Sequence, residues 1–361
     1  MSFLDDLVRP ELADVRPYLP TQGDFRLRLD ANEAPALFPD SVRERLQRAF
    51  GELALERYPD ATAANLRRAI ATRLGVDPDT LLLGVGSDEI LALLVTALVK
   101  PRRAAEAPIV LTTSPTFVMY KMSARLRGLR VIEVPLDAGW DLADESMLRA
   151  LEVGPPHLVF IASPNNPTGT LMDRARLERV IEAAPRSLVV VDEAYIDYAD
   201  RNQLDLFQKY GNVAVLRTLS KVGFASLRIG WLVGRPELVR ELDKVRLPYN
   251  SSGVAQALGA LVVGELWADV LRVVETVKSE RARLAEALAR LPGLEVSPSQ
   301  ANFLWLRTPG PAEGLFRALS ERGILVRSFH ASGGRLSQQL RITVGSPAEN
   351  DELVRVLREL A

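Results

Sequence analysis

The chain has 361 residues, 47% of them apolar and 25% charged, proportions that suit a globular protein with one large and one smaller domain. Its formal net charge of −1 argues against nucleic acid or an anionic membrane as the main partner. Because it contains no cysteine, disulfides, thiolate metal sites and a cysteine nucleophile are excluded.

From the N-terminus, MSFLDDLVRPEL is acidic and lacks the basic and apolar parts of a signal peptide. Residues 1–40 are rich in proline and turn signals and are expected to pack with the smaller domain and the active site. GVGSDEI (84–90) reads as a glycine turn opening an apolar helix, whose first N–H groups suit an anion. The longest charge-free apolar run, ILALLVTALV, is about half the ~20 residues that span a bilayer, so a soluble, cytoplasmic protein is expected. PIVLTT (108–113), RVIEVP (130–135), HLVFIAS (157–163), SLVVVDEA (187–194) and VAVLRT (213–218) read as short buried strands. The helical spacing of DRARLERVIEAA (173–184) between two of them implies a mostly parallel sheet with helices on both faces. Beyond about residue 250 a long helical stretch (267–291) leads to ANFLWLR, GILVRSF and QLRITVG, which predicts a smaller α+β domain. The expected division is 41–255 for the large domain and 256–361 for the small one. His157 and His330 are isolated in sequence, so no metal site is expected.

Three predicted strands end in concentrated polar sequence, at the edge where open α/β sheets hold ligands. IASPNNPTG carries Asn166 and reads equally as a plain proline-rich turn. In LVVVDEAYIDYA, four apolar residues (Leu188 to Val191) lead directly into Asp192, a carboxylate that must meet a cation or donors, or else cap a helix. VAVLRT runs into Leu219, Ser220 and Lys221. Only 6 of the 45 basic residues are lysines, and lysine is the one that can lose its proton and form a covalent bond. An amide, a buried carboxylate and an amine at one sheet edge suit pyridoxal 5′-phosphate (PLP), whose aldehyde needs an amine and whose ring nitrogen needs an anion.

The segments LDANEAP, RYPD, GVGSDE, SPTFVMY, SPNNPTG, VVDEAYIDY, RTLSKVGFASLRIGW, QANFLW, GILVRSF and LRITVG, in this order, resemble the fold-type-I PLP-dependent aminotransferases (class II), and among them the histidinol-phosphate aminotransferase family. The resemblance implies an α/β fold with a mostly parallel seven-stranded sheet covered by helices in the large domain, plus a smaller α+β domain. It makes Lys221 the residue that attaches PLP and moves the proton, Asp192 the partner of the ring nitrogen, and Asn166 and Tyr195 the donors to O3′. Phe117 would stack on the ring, and Ser87, Asp88, Ser220 and Arg228 would hold the phosphate. Tyr58 would reach that phosphate in the partner subunit of a homodimer. Arg341 and Arg327 would take the substrate's anionic group, with Tyr18, Asn32 and Asn302 nearby and Asn302 orienting Arg341. The reaction implied is transamination of L-histidinol phosphate with 2-oxoglutarate in histidine biosynthesis. A threonine-phosphate decarboxylase and an aromatic or other amino-acid aminotransferase are the alternatives. The interval from Lys221 to Arg228 is one residue shorter than in many relatives, and the Asn166–Pro167 peptide is expected to be cis.

Overall fold

The computed structural model describes residues 3–12, 15, 17, 21–102 and 106–360. Among these, twelve strands form two sheets. They are β1 (Leu27–Leu29), β2 (Leu81–Val85), β3 (Ile109–Ser114), β4 (Arg130–Pro135), β5 (Leu158–Ala162), β6 (Leu188–Asp192), β7 (Val213–Thr218), β8 (Ile229–Val233), β9 (Glu295–Ser297), β10 (Phe303–Arg307), β11 (Ile324–Ser328) and β12 (Gln339–Thr343). The large sheet has the order β2-β8-β7-β6-β5-β3-β4 and the small one β1-β11-β12-β10-β9.

The five apolar runs read from the sequence are β3 to β7, parallel throughout. The near-continuous hydrophobicity of β3, β5, β6 and β7 follows from burial on both faces, while β4 is a partly exposed edge strand. Val159, Ile161, Val189 and Val191 enter one core, and Leu158, Phe160, Ala162 and Val190 enter the other. The period of two thus splits each strand between two layers. β2 and β8 complete the sheet, and β8 runs antiparallel to both its neighbours. Their runs, LLLGV and IGWLV, are broken by glycine, which hides the strand signal. The glycine in β8 is required. A Cβ on Gly230 would lie 2.5 Å from Gly86 C and 2.6 Å from Ser87 N, so β8 sits directly against the start of the helix Gly86–Ala97.

In the small sheet β1 pairs in parallel with β11, which binds the N-terminal segment to the C-terminal part of the chain. The remaining pairings there are antiparallel. The expected boundary at 255/256 falls inside the helix Gly253–Gly264. The long helix Trp267–Ala289 serves both cores, with Trp267, Val270, Val273, Val274 and Val277 in the large one and Leu284 and Leu288 in the small one. No helix among the described residues is long and apolar enough to cross a membrane.

Candidate active site

The carboxyl ends of β3, β5, β6 and β7 open onto one cavity of about 410 Å³, closed on its other side by Asp30 to Asn32, by Arg327 and Arg341 of the small sheet and by Phe329 just after β11. Because β4 and β5 lie on opposite sides of β3, the chain leaves a crevice at this edge, where a ligand fits without displacing a crossover helix.

Asp192, the last residue of β6, is buried. Tyr120 donates its hydroxyl to Asp192 Oδ2 at 2.6 Å, and the Ala194 N–H donates to Oδ1 at 3.0 Å. Burial pushes the carboxyl up to about 6, with Asp88 and Glu193 adding to the rise and the two donors opposing it. Tyr120 is fully buried, stacked on Phe160 at 5.1 Å and edge-on to Phe117 at 5.6 Å. The sequence motifs single out Phe117 and not Tyr120. Its spacing of three from Phe117 in SPTFVMY was the available signal.

Lys221 and Asp192 line the same cavity. Lys221 Nζ lies 5.8 Å from the centre of the Tyr195 ring, and its backbone carbonyl accepts a hydrogen bond from Tyr198 at 2.6 Å. In the turn after β5, Asn165 is buried and tied to Thr116, Thr168 and Pro115 O, which leaves Asn166 facing the cavity. The Asn166–Pro167 peptide is cis, as are Ser114–Pro115 and Ser163–Pro164.

At the opposite corner Ser87, Asp88, Ser220 and Arg228 converge. Arg228 donates to Ser220 Oγ and to Asp88 Oδ2, each at 3.4 Å. A 3₁₀ turn at Ala225–Leu227 and a left-handed Arg228 (φ 51°) take up the short interval after Lys221. A Cβ on Gly86 would meet the Arg228 guanidinium at 2.7 Å, so glycine keeps this corner open. The first-turn N–H groups of Gly86–Ala97 have no intrahelical acceptor and suit an anion.

On the small-sheet side, Arg341 is buried, and its guanidinium donates to Asn166 Oδ1 and to Asp30 O. Arg327 is its cross-strand partner in β11, and both line the cavity. Like charges placed opposite one another destabilise a sheet unless an anion lies between them. Asn32 is left-handed (φ 55°) and donates Nδ2 to the Tyr195 hydroxyl at 3.0 Å. Asn302 stands behind the cavity wall and donates to Asn32 O at 3.0 Å, so its amide holds Asn32 while Asn166 and Asp30 hold Arg341. Tyr18 lies outside the described residues. Tyr58 lies outside this cavity, 83% exposed and stacked on Tyr249 at 4.8 Å.

The donor set fits PLP. There is an amine for its aldehyde, a buried acid for its ring nitrogen, a phenol and an amide for O3′, an aromatic face, and an anion corner of amides, hydroxyls and a guanidinium. The family model for class I and II aminotransferases matches residues 26–357, and the chain belongs to that family. It is 40% identical to the histidinol-phosphate aminotransferase of Methylibium petroleiphilum, over 97% of this chain and 94% of that one. Histidinol-phosphate aminotransferase 1 of Ralstonia nicotianae is likewise 40% identical, over the same shares of the two chains. The crystal structure of histidinol-phosphate aminotransferase from Sinorhizobium meliloti in complex with pyridoxal-5′-phosphate superposes with a TM-score of 0.84, at 26% identity and 98% coverage of both chains.

Proposed function

We propose that this chain uses PLP to move the amino group of L-histidinol phosphate to 2-oxoglutarate, giving imidazole acetol phosphate and L-glutamate in histidine biosynthesis. The observation that carries the reading is the 40% identity, over 97% of the chain, to relatives bearing that name. The facing arginines of β11 and β12 support a strongly anionic substrate group.

When bound, PLP supplies an aldehyde that captures the amine and a ring that draws electrons from the neighbouring carbon. Lys221 Nζ is the base for the substrate Cα proton, a role typically worth about 10²–10⁴-fold. Asp192 would be the anion for the ring nitrogen, Asn166 and Tyr195 would donate to O3′, and Phe117 would offer the ring an aromatic face. Ser87, the Asp88 N–H, Ser220 and Arg228 would hold the cofactor phosphate. Arg341 offers a planar fork to the substrate anion, with Arg327 beside it. Tyr18, Asn32 and Asn302 serve the substrate side, Asn302 by fixing Asn32.

The exposed, Tyr249-stacked position of Tyr58 supports a homodimer in which Tyr58 reaches the partner's cofactor phosphate. The cytoplasm is the compartment that fits this chemistry. The large cofactor-binding domain begins near residue 41, and its boundary with the small domain lies within the long helix Trp267–Ala289, since that helix feeds both cores.

A half-reaction screen tests the reading. Histidinol phosphate, glutamate, threonine phosphate and phenylalanine are mixed separately with the PLP-loaded protein, and conversion to the pyridoxamine form is followed by absorbance. Histidinol phosphate and glutamate should convert fastest. Carbon dioxide release from threonine phosphate without a keto acid would overturn the assignment.

A further inference from the structure

A second set of contacts joins the two sheets outside the lining of the same cavity. Arg335, in the loop after β11, donates Nη1 to Leu136 O at 3.2 Å and Asp137 O at 2.8 Å, and Nη2 to Ala138 O at 3.3 Å. These acceptors belong to the loop that follows β4 in the large sheet. The Arg335 guanidinium also lies 3.4 Å from the centre of the Trp140 ring. Trp140 is 8% exposed and has φ of +66°, a backbone region that a bulky residue occupies only when its surroundings impose it. Asp137 imposes it, its Oδ1 accepting from Gly139 N at 2.8 Å and Asp141 N at 2.9 Å.

From Trp140 an aromatic path runs inward. Trp140 meets Trp305 of β10 edge-on at 5.6 Å, and Trp305 meets Phe329 edge-on at 4.9 Å. Trp305 is the cross-strand partner of Arg341, and Arg341 is the partner of Arg327. Phe329 lines the cavity beside both arginines. The anion-binding wall is therefore braced from outside by one arginine and one tryptophan that do not line the cavity.

We propose that Arg335 and Trp140 are positioning residues for the amine substrate. They clamp the loop after β11 onto the loop after β4 and so set where Phe329, Arg327 and Arg341 stand in the cavity wall. The proposal rests on reading this cavity as an aminotransferase site. The cofactor corner formed by Lys221, Asp192 and Arg228 lies on the large sheet and is untouched by the clamp, so binding of the amine, and not loading of PLP, depends on it.

Steady-state kinetics of the PLP-loaded Arg335→Ala variant tests this, because Arg335 is exposed and its loss leaves both cores intact. KM for the amine should rise about five- to twentyfold, with kcat and PLP content unchanged within about twofold. Arg335→Lys keeps the charge but loses the planar fork and should fall between. Acrylamide should quench tryptophan fluorescence more strongly in the ligand-free Arg335→Ala protein, and adding Trp140→Phe should remove that increase. An unchanged KM, or a fall in kcat and PLP content that parallels the change in KM, would overturn the clamp. The amine used is whichever one the wild-type protein converts fastest. A wild-type protein inert toward histidinol phosphate would thus sink the functional reading and leave the KM test of the clamp standing.

Discussion

The Tyr120 hydroxyl and Asp192 Oδ2 are 2.6 Å apart, and both buried residues line the cavity. A hydrogen bond from a phenol to a carboxylate favours the ionised acid and counters the burial that pushes Asp192 up to about 6. Removing the hydroxyl with Tyr120→Phe should weaken PLP binding to the apoprotein about 10–100-fold, the range for a hydrogen bond to a charged group. Fluorescence titration of the apoprotein with PLP checks this. An unchanged Kd would show that Asp192 does not need Tyr120.

Asp192 also predicts a pH dependence of the apoprotein. The folded carboxyl keeps its proton up to about pH 6, against 3.8 for an ordinary aspartate. Between those values the folded state binds more protons than the unfolded state, so this group's contribution to stability falls as pH rises through the window. The difference corresponds to about 3 kcal/mol. Asp192→Asn should therefore stabilise the apoprotein at pH 7, with an advantage that shrinks toward pH 4. Urea unfolding at several pH values measures it, and a constant difference across the window would contradict the linkage.

Lys221→Ala should abolish turnover together with the yellow absorbance of the PLP-loaded protein, while the thermal melt of the apoprotein stays close to wild type. Normal turnover in this variant would remove Lys221 from the chemistry.

Gly230→Ala places a methyl group within 2.6 Å of the Gly86 and Ser87 backbone, and backbone cannot swing aside. The expected cost is about 1–3 kcal/mol of stability. PLP affinity should fall as well, because the displaced amides are the anion corner. A variant with wild-type stability and affinity would show that the corner tolerates the shift.

Mixing inactive Tyr58→Ala and inactive Lys221→Ala proteins tests the proposed dimer. If Tyr58 completes the partner's site, each hybrid has one intact site, and random exchange restores about a quarter of wild-type activity. No recovery after exchange, verified by mass, would show that Tyr58 acts within its own subunit.

The amino-acid sequence by itself determined the central parallel strands and the residues placed directly after them. An apolar run buried on both faces must stop where polar residues begin, and parallel strands bring all those stopping points to one edge. Asp192, Asn166, Ser220 and Lys221 were legible for that reason, and resemblance to relatives supplied their roles. β2 and β8 were not legible as strands, because a glycine interrupts each hydrophobic run, the one in β8 demanded by a close backbone approach. Tyr120 against Asp192, Asn302 against Asn32, Arg341 against Asn166, and Arg335 over Trp140 were decided only by the tertiary structure. These pairs are brought together from 72 to 270 residues apart where a helix or the small sheet docks on the large one. Local sequence sets where a side chain leaves its own strand or loop. What it meets there depends on how the two sheets pack.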